Sequence, residues 1–168
     1  MKSKLPITSS IGICDGFNLL IPSNLIVEVV SAAAINASET SEDWSTGRLN
    51  WRGLDIPVLG IEQVIINRPP RLRGSHVAIF HGTLQAQNAE LETTEQESTD
   101  AQSMGKLPFY GVPLQAVPHS FSINQSREVT QRSDHLNLNF CQMKVTVKGV
   151  AAIIPDLQRL EQFILDNL

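Results

Sequence analysis

Residues 48–65, RLNWRGLDIPVLGIEQVI, constrain the fold more than any other stretch of the chain. A run that alternates apolar and polar residues reaches Trp51, breaks at Arg52-Gly53 and resumes as Leu54-Asp55-Ile56-Pro57-Val58-Leu59. Glycine supplies the backbone freedom a tight reversal needs. The β-branched and apolar residues on either side favour strands. The local reading is a β-hairpin with Arg52 at its tip, the guanidinium free for a carboxylate or backbone carbonyl on a partner. Beyond it, Leu59, Glu62, Gln63 and Ile66 lie three or four apart, the spacing of a short helix.

The rest of the chain is punctuated in the same way. Residues 11–14 and 17–21 are short apolar runs around Asp15-Gly16, a strong hairpin dipeptide. Residues 25–30, LIVEVV, are largely β-branched with a single acid and read as a strand entering the core. Residues 32–35 have helix-forming composition but are too few to stand alone, and residues 36–43 form a polar, acidic loop. Residues 67–74, NRPPRLRG, break regular structure with two prolines. Their arginines read as a solvated connector ahead of a contact surface for an acidic partner. Residues 75–81 include a compact strand, HVAIFH.

Residues 85–106 carry Glu90, Glu92, Glu95, Glu97 and Asp100 against one lysine and are low in aliphatics. Such a composition does not offset the entropy of ordering, so the expectation is a disordered acidic insertion. Strand character resumes over residues 107–117, where Pro113 suits an edge strand or a bulge. From 136 to 147 the alternation slips phase: Leu136, Leu138 and Phe140 share one parity, and Cys141, Met143, Val145 and Val147 the other. A one-residue slip moves the apolar face across the sheet, so a bulge or turn is expected near Phe140-Cys141. Lys148-Gly149 then turns into another strand. The chain closes with a helix, Pro155 at its first position and Asp156 complementing the positive end of its dipole. Leu157, Leu160, Ile164 and Leu168 form an apolar stripe on it, with Phe163 beside them.

Roughly ten short strands, Gly/Pro turns and one terminal helix argue for a mainly β fold of small barrels. At 168 residues the chain is one domain, or two subdomains sharing a core. The formal charge of −4 disfavours binding driven by phosphate neutralisation. Cys14 and Cys141 sit in apolar runs without metal-ligand spacing and read as buried, reduced thiols of a cytoplasmic protein. The basic N-terminus is followed by no apolar segment of a signal peptide, and no run is long enough to span a bilayer, so direct membrane insertion is not expected.

No chemistry stands out. His76 and His81 are five apart and face opposite ways on a regular strand, while His119 and His135 are isolated. Nucleophile-elbow, phosphate-loop, His-Glu-x-x-His and Cys-x-x-Cys motifs are absent. Acidic residues cluster only in the 85–106 segment, where nothing rigid would place two carboxylates for acid–base work. The expectation is a binding protein with no catalytic residues, no metal and no cofactor.

The run Asn50-x-Arg52-Gly53, two residues, then Ile56-Pro57-Val58-Leu59 resembles the central signature of CheW-like domains, the adaptor modules of bacterial chemosensory arrays. Val27-Glu28-Val29-Val30 is similar to an earlier block of that family, and Gly111, Val112 and Val117 to a later one. Gly60 stands where an Asp is usual, Gln115 stands near a second customary Asp, and the acidic insertion replaces a short turn. The resemblance implies one domain over residues 7–168, made of two five-stranded, SH3-like β-barrels packed together with a groove between them and a C-terminal helix. It implies a non-enzymatic adaptor that links the cytoplasmic tip of a chemoreceptor to the regulatory domain of a CheA-type histidine kinase. Arg52 would help hold the receptor side, with Asn50 and Gly53 shaping its turn. Ile56, Pro57 and Val58 would line or support the groove, although core packing is the stronger reading for Ile56 and Val58. The departures suggest a divergent member, from a system controlling type IV pili and twitching motility. The alternative is a small β-barrel binding an oligonucleotide or ligand. That alternative needs basic residues interleaved with exposed rings, and aromatics are only 5% of the chain.

Overall fold

The computed structural model describes residues 7–36, 43–69, 74–83, 107–123, 129–131 and 139–168. The acidic segment 85–106, Arg71, Arg73, Leu136 and Leu138 lie outside them. Among the described residues, twelve strands form two six-stranded sheets. The terminal sheet is built from both ends of the chain: β1 (Ile7–Ile13), β2 (Asn18–Pro22), β9 (His119–Ile123), β10 (Val129–Gln131), β11 (Cys141–Val147) and β12 (Val150–Pro155). Its order is β10-β11-β12-β2-β1-β9. The central sheet takes the chain between: β3 (Ile26–Ser31), β4 (Ile35–Asn36), β5 (Ser45–Trp51), β6 (Leu54–Leu59), β7 (His76–His81) and β8 (Phe109–Leu114), in the order β3-β7-β8-β6-β5-β4. Each sheet is a half-barrel of five strands plus one short edge strand, the two-residue β4 or the three-residue β10. The fold is mainly β, with two SH3-like subdomains and a C-terminal helix, as the resemblance implies.

Among the described residues, three apolar clusters hold this arrangement. Leu49, Trp51, Ile56, Val58, Val77 and Ile79 fill the central sheet, and Leu20, Val145, Val147 and Ala152 the terminal one. The largest cluster lies between the sheets and draws on both, including Leu19, Ile21 and Ile153 from one and Leu59, Phe80, Tyr110 and Leu114 from the other. Helix α1 (Ile61–Ile66) and helix α2 (Leu157–Asn167) close this shared core with Ile61, Ile65, Leu160 and Ile164. Burial on both faces explains why β6 does not alternate: Ile56, Pro57, Val58 and Leu59 are all buried.

The local expectations are met where they rest on turn chemistry. Arg52 (φ 50°) and Gly53 (φ 80°) form a two-residue turn with both residues left-handed, the twist-matched hairpin type, and Lys148 (φ 48°) and Gly149 (φ 79°) repeat it. The phase slip is absorbed where expected: Phe140 turns at φ 53°, and the β11–β12 register shifts between Cys141 and Met143.

Other expectations are corrected. Pro113 lies in β8, an inner strand between β7 and β6, and not at an edge. It pairs with Val77 inside a continuous antiparallel ladder. Proline has no N–H to give, so only a non-hydrogen-bonded position keeps the β7–β8 ladder whole there. Pro155 does not open the last helix; it still pairs with Cys141 at the end of β12. Asp156 is the N-cap instead, its side chain accepting from Arg159 N at 3.1 Å. Leu168 is 61% exposed and leaves the stripe. Cys14 is buried, but Cys141, at the bulge, is only half-buried; both are free thiols.

Candidate functional site

The central hairpin separates the six residues singled out by the signature. Arg52 and Gly53 are exposed at the tip, and Asn50 is exposed on β5 opposite Asp55. A Cβ at Gly53 would meet nothing within 4 Å, so glycine is favoured there by the positive φ and not by lack of space. Ile56 and Val58 are 2% and 0% exposed in the central core, and Pro57 is buried with them. Three of the residues are therefore presented to solvent, and the other three are the floor that fixes the hairpin.

The Arg52 guanidinium is not free, as the hairpin alone suggested. Its Nη2 donates to Glu28 Oε2 on β3 at 3.0 Å, and its Cζ lies 4.8 Å from the Trp51 ring centroid. The indole Nε1 of Trp51 donates to the same Glu28 oxygen at 2.9 Å. Trp51 rests edge-on against Phe109 (5.0 Å, 62°), and Phe109 in turn meets the His81 ring at 5.1 Å. The Arg52 side chain is still 68% exposed and that of Glu28 39%. The remaining guanidinium donors are thus turned to solvent on a fixed platform. A second ion pair, Arg48 Nε with Asp55 Oδ2, clips the hairpin along its exposed face, and Arg48 Nη2 donates to the Asp55 carbonyl at 3.0 Å.

Two buried carboxylates tie the subdomains together. Glu62, at the start of α1, is 2% exposed and accepts from Asp15 N at 3.1 Å in the β1–β2 turn. Arg68 reaches the same turn, donating from Nη2 to the Asp15 carbonyl at 2.8 Å and lying 3.7 Å from Asp15 Oδ1. Burial raises the Glu62 carboxyl above its ordinary range, and the Asp15 N–H holds part of that rise back. Burial also pushes the Cys14 thiol well up, with the Glu62 charge adding to it. Glu161 on α2 is fully buried; it accepts from Thr83 N (2.8 Å), Thr83 Oγ1 (2.9 Å) and the Tyr110 hydroxyl (3.2 Å). Burial lifts the Tyr110 phenol well above its usual range, with Glu161 beside it.

Sequence reasoning missed Glu28 as a site residue and missed the role of both buried glutamates. The signal for Glu28 was a single acid in a β-branched run. Glu161 adjoins Leu160 in the apolar stripe, so only its neighbours in space reveal its burial. Among the described residues no group of three or more His, Cys, Asp or Glu is placed to hold a metal ion, and no helix is long and apolar enough to cross a membrane.

No protein-family model matches the chain, and no curated protein matches it by sequence. Eleven solved protein chains match it in fold. One is the scaffolding protein TtCheW from Thermoanaerobacter tengcongensis. It superposes with a TM-score of 0.66 over 95% of this chain and 90% of that one, at 14% sequence identity. At that identity the likeness carries the fold and leaves the roles of individual residues to their own geometry. From the Asn-x-Arg-Gly hairpin to the helix that closes the shared core, this chain has the CheW-like fold.

Proposed function

We propose that this protein is a non-enzymatic chemosensory adaptor, acting in the cytoplasm to couple the tip of a chemoreceptor to the regulatory domain of a CheA-type histidine kinase. The observation that carries the reading is the CheW-like fold over nearly the whole chain, shared with a scaffolding protein. The Arg52 turn supports it. A charged, planar donor is held at the end of a hairpin whose base is buried in the core, so it presents a fixed contact to a partner. Asn50 and Gly53 shape that turn, and Ile56, Pro57 and Val58 support it from below. Divergence from the family signature favours type IV pili and twitching motility as the output.

Binding of the purified protein to the receptor tip and to the kinase regulatory domain tests this. Both should bind, and Arg52→Glu should weaken the receptor contact while leaving the kinase contact intact. A folded protein that binds neither would reduce the relationship to one of fold. Deleting the gene and scoring twitching against swimming tests the output.

A further inference from the structure

We infer that Trp51 is a positioning residue for Arg52: its indole N–H and the Arg52 guanidinium converge on one oxygen of Glu28, and its ring lies under the guanidinium. The inference deepens the adaptor reading and rests on it for the identity of the partner. An exposed arginine paired with one exposed carboxylate is weakly held, because solvent and side-chain entropy offset most of the attraction. Glu28 and Arg52 alone would make such a pair, at 39% and 68% exposure.

Trp51 changes that balance from the buried side. It is 7% exposed, sits in the central core and is braced by Phe109. Its Nε1 donates to Glu28 Oε2 at 2.9 Å, which fixes the carboxylate before the guanidinium reaches it at 3.0 Å. The same ring offers its π-face to the Arg52 charge at 4.8 Å. Of the aromatic side chains only tryptophan supplies an N–H donor that carries no competing acceptor together with a face of this size. The guanidinium is thereby oriented before a partner arrives, and its outward donors suit an acceptor that takes two of them at once, a carboxylate on the partner surface. Orienting a long side chain in advance removes an ordering cost that corresponds to about three- to tenfold in affinity.

The test is a double-mutant cycle on receptor-tip binding by calorimetry, using wild type, W51F, R52A and W51F/R52A, with melting curves on each. W51F keeps a ring in the core and removes the indole donor. It should weaken binding by about three- to tenfold in the wild-type background and have no further effect once Arg52 is alanine. Equal losses in both backgrounds would show that Trp51 acts only through the fold, and would overturn the inference. Arg52 Nε–H relaxation in the free protein is read alongside, and it needs no partner. Its order should drop in W51F; unchanged order overturns the inference, whereas a wild-type protein that fails to bind the tip counts against the adaptor reading alone. If W51F does not fold, the surface variants R52A and E28Q serve instead. The Trp51 Nε1–H resonance should move in both, and a resonance that moves in neither overturns the inference.

Discussion

The Tyr110 hydroxyl donates to Glu161 Oε1 at 3.2 Å, joining a strand of the central sheet to the helix that follows the last strand of the terminal one. Both groups are buried, Tyr110 at 1% exposure and Glu161 at 0%. The second carboxylate oxygen takes the Thr83 backbone N–H and hydroxyl. A carboxylate withdrawn from water this completely is tolerated because its acceptors are used. Glu161→Ala would orphan the buried Tyr110 hydroxyl together with two part-buried donors of Thr83, and an unsatisfied buried group costs on the order of 1–3 kcal/mol. The expected outcome is a loss of about 3 kcal/mol or more in urea unfolding. Tyr110→Phe, which removes one neutral donor, should cost about 1 kcal/mol.

Glu62 sets the sign of a pH effect. Its folded-state carboxyl is raised above the ordinary value, by burial first, so the folded state binds a proton more readily there than the unfolded chain does. That contribution to stability is fully present below the unfolded value and is lost as pH rises through the folded one. Glu62→Gln keeps a carbonyl for the Asp15 N–H and cannot ionise. The variant should be more stable than wild type at neutral pH, with the difference shrinking as pH falls toward the carboxylate range. Chemical denaturation at pH 7.5 and pH 4.5 checks it. A less stable variant at neutral pH would mean that the Asp15 N–H and the other groups favouring the ionised carboxylate, Arg68 among them, outweigh its burial.

How much of this was legible in the sequence follows from which interactions are local. The turns at Asp15-Gly16, Arg52-Gly53 and Lys148-Gly149 announce themselves, because a hairpin dipeptide acts on its own backbone. The turn and register shift at Phe140-Cys141 were legible for a similar reason: parity is counted along the local sequence. Pro113 misled because inner or edge position is decided by β7 and β6, which the strand itself does not encode. Glu28 meets Arg52 across 24 residues, and Glu161 meets Thr83 across 78. Contacts at that range depend on the packing of whole sheets. The adjoining Leu160 is buried as expected, yet a helical stripe does not say which polar residue at its border a second subdomain will cover.

The two cysteines should separate by reactivity. Cys14 is 5% exposed, and its thiol is pushed well up by burial and then by Glu62; Cys141 is half-buried and raised by burial, with Lys144 opposing the rise. Thiolate is the reacting species, and access limits the reagent. In the native protein at pH 8, a disulfide reagent such as DTNB should label Cys141 first. Cys14 should react only as fast as the protein opens, and addition of denaturant should equalise the two. Labelling followed by peptide mass analysis distinguishes them. Early modification of Cys14 would show that the β1–β2 turn opens locally.

The Arg52 turn allows a loss of binding to be separated from a loss of fold. The Arg52–Glu28 pair is exposed, so Arg52→Ala should cost less than about 1 kcal/mol of stability. Gly53→Ala acts on the backbone instead: φ is +80° and the space around a new Cβ is empty, so the cost is the left-handed strain alone, about 1 kcal/mol. Gly53→Asn should recover part of that, since asparagine tolerates this region. Trp51→Ala, by contrast, empties a core position and should cost about 3–5 kcal/mol. Thermal and urea unfolding of the four variants should therefore rank Arg52→Ala as mildest, then Gly53→Asn, Gly53→Ala and Trp51→Ala. If Arg52→Ala were instead as damaging as Trp51→Ala, the guanidinium would be holding β3 to the hairpin, and its exposure would be no guide to partner binding.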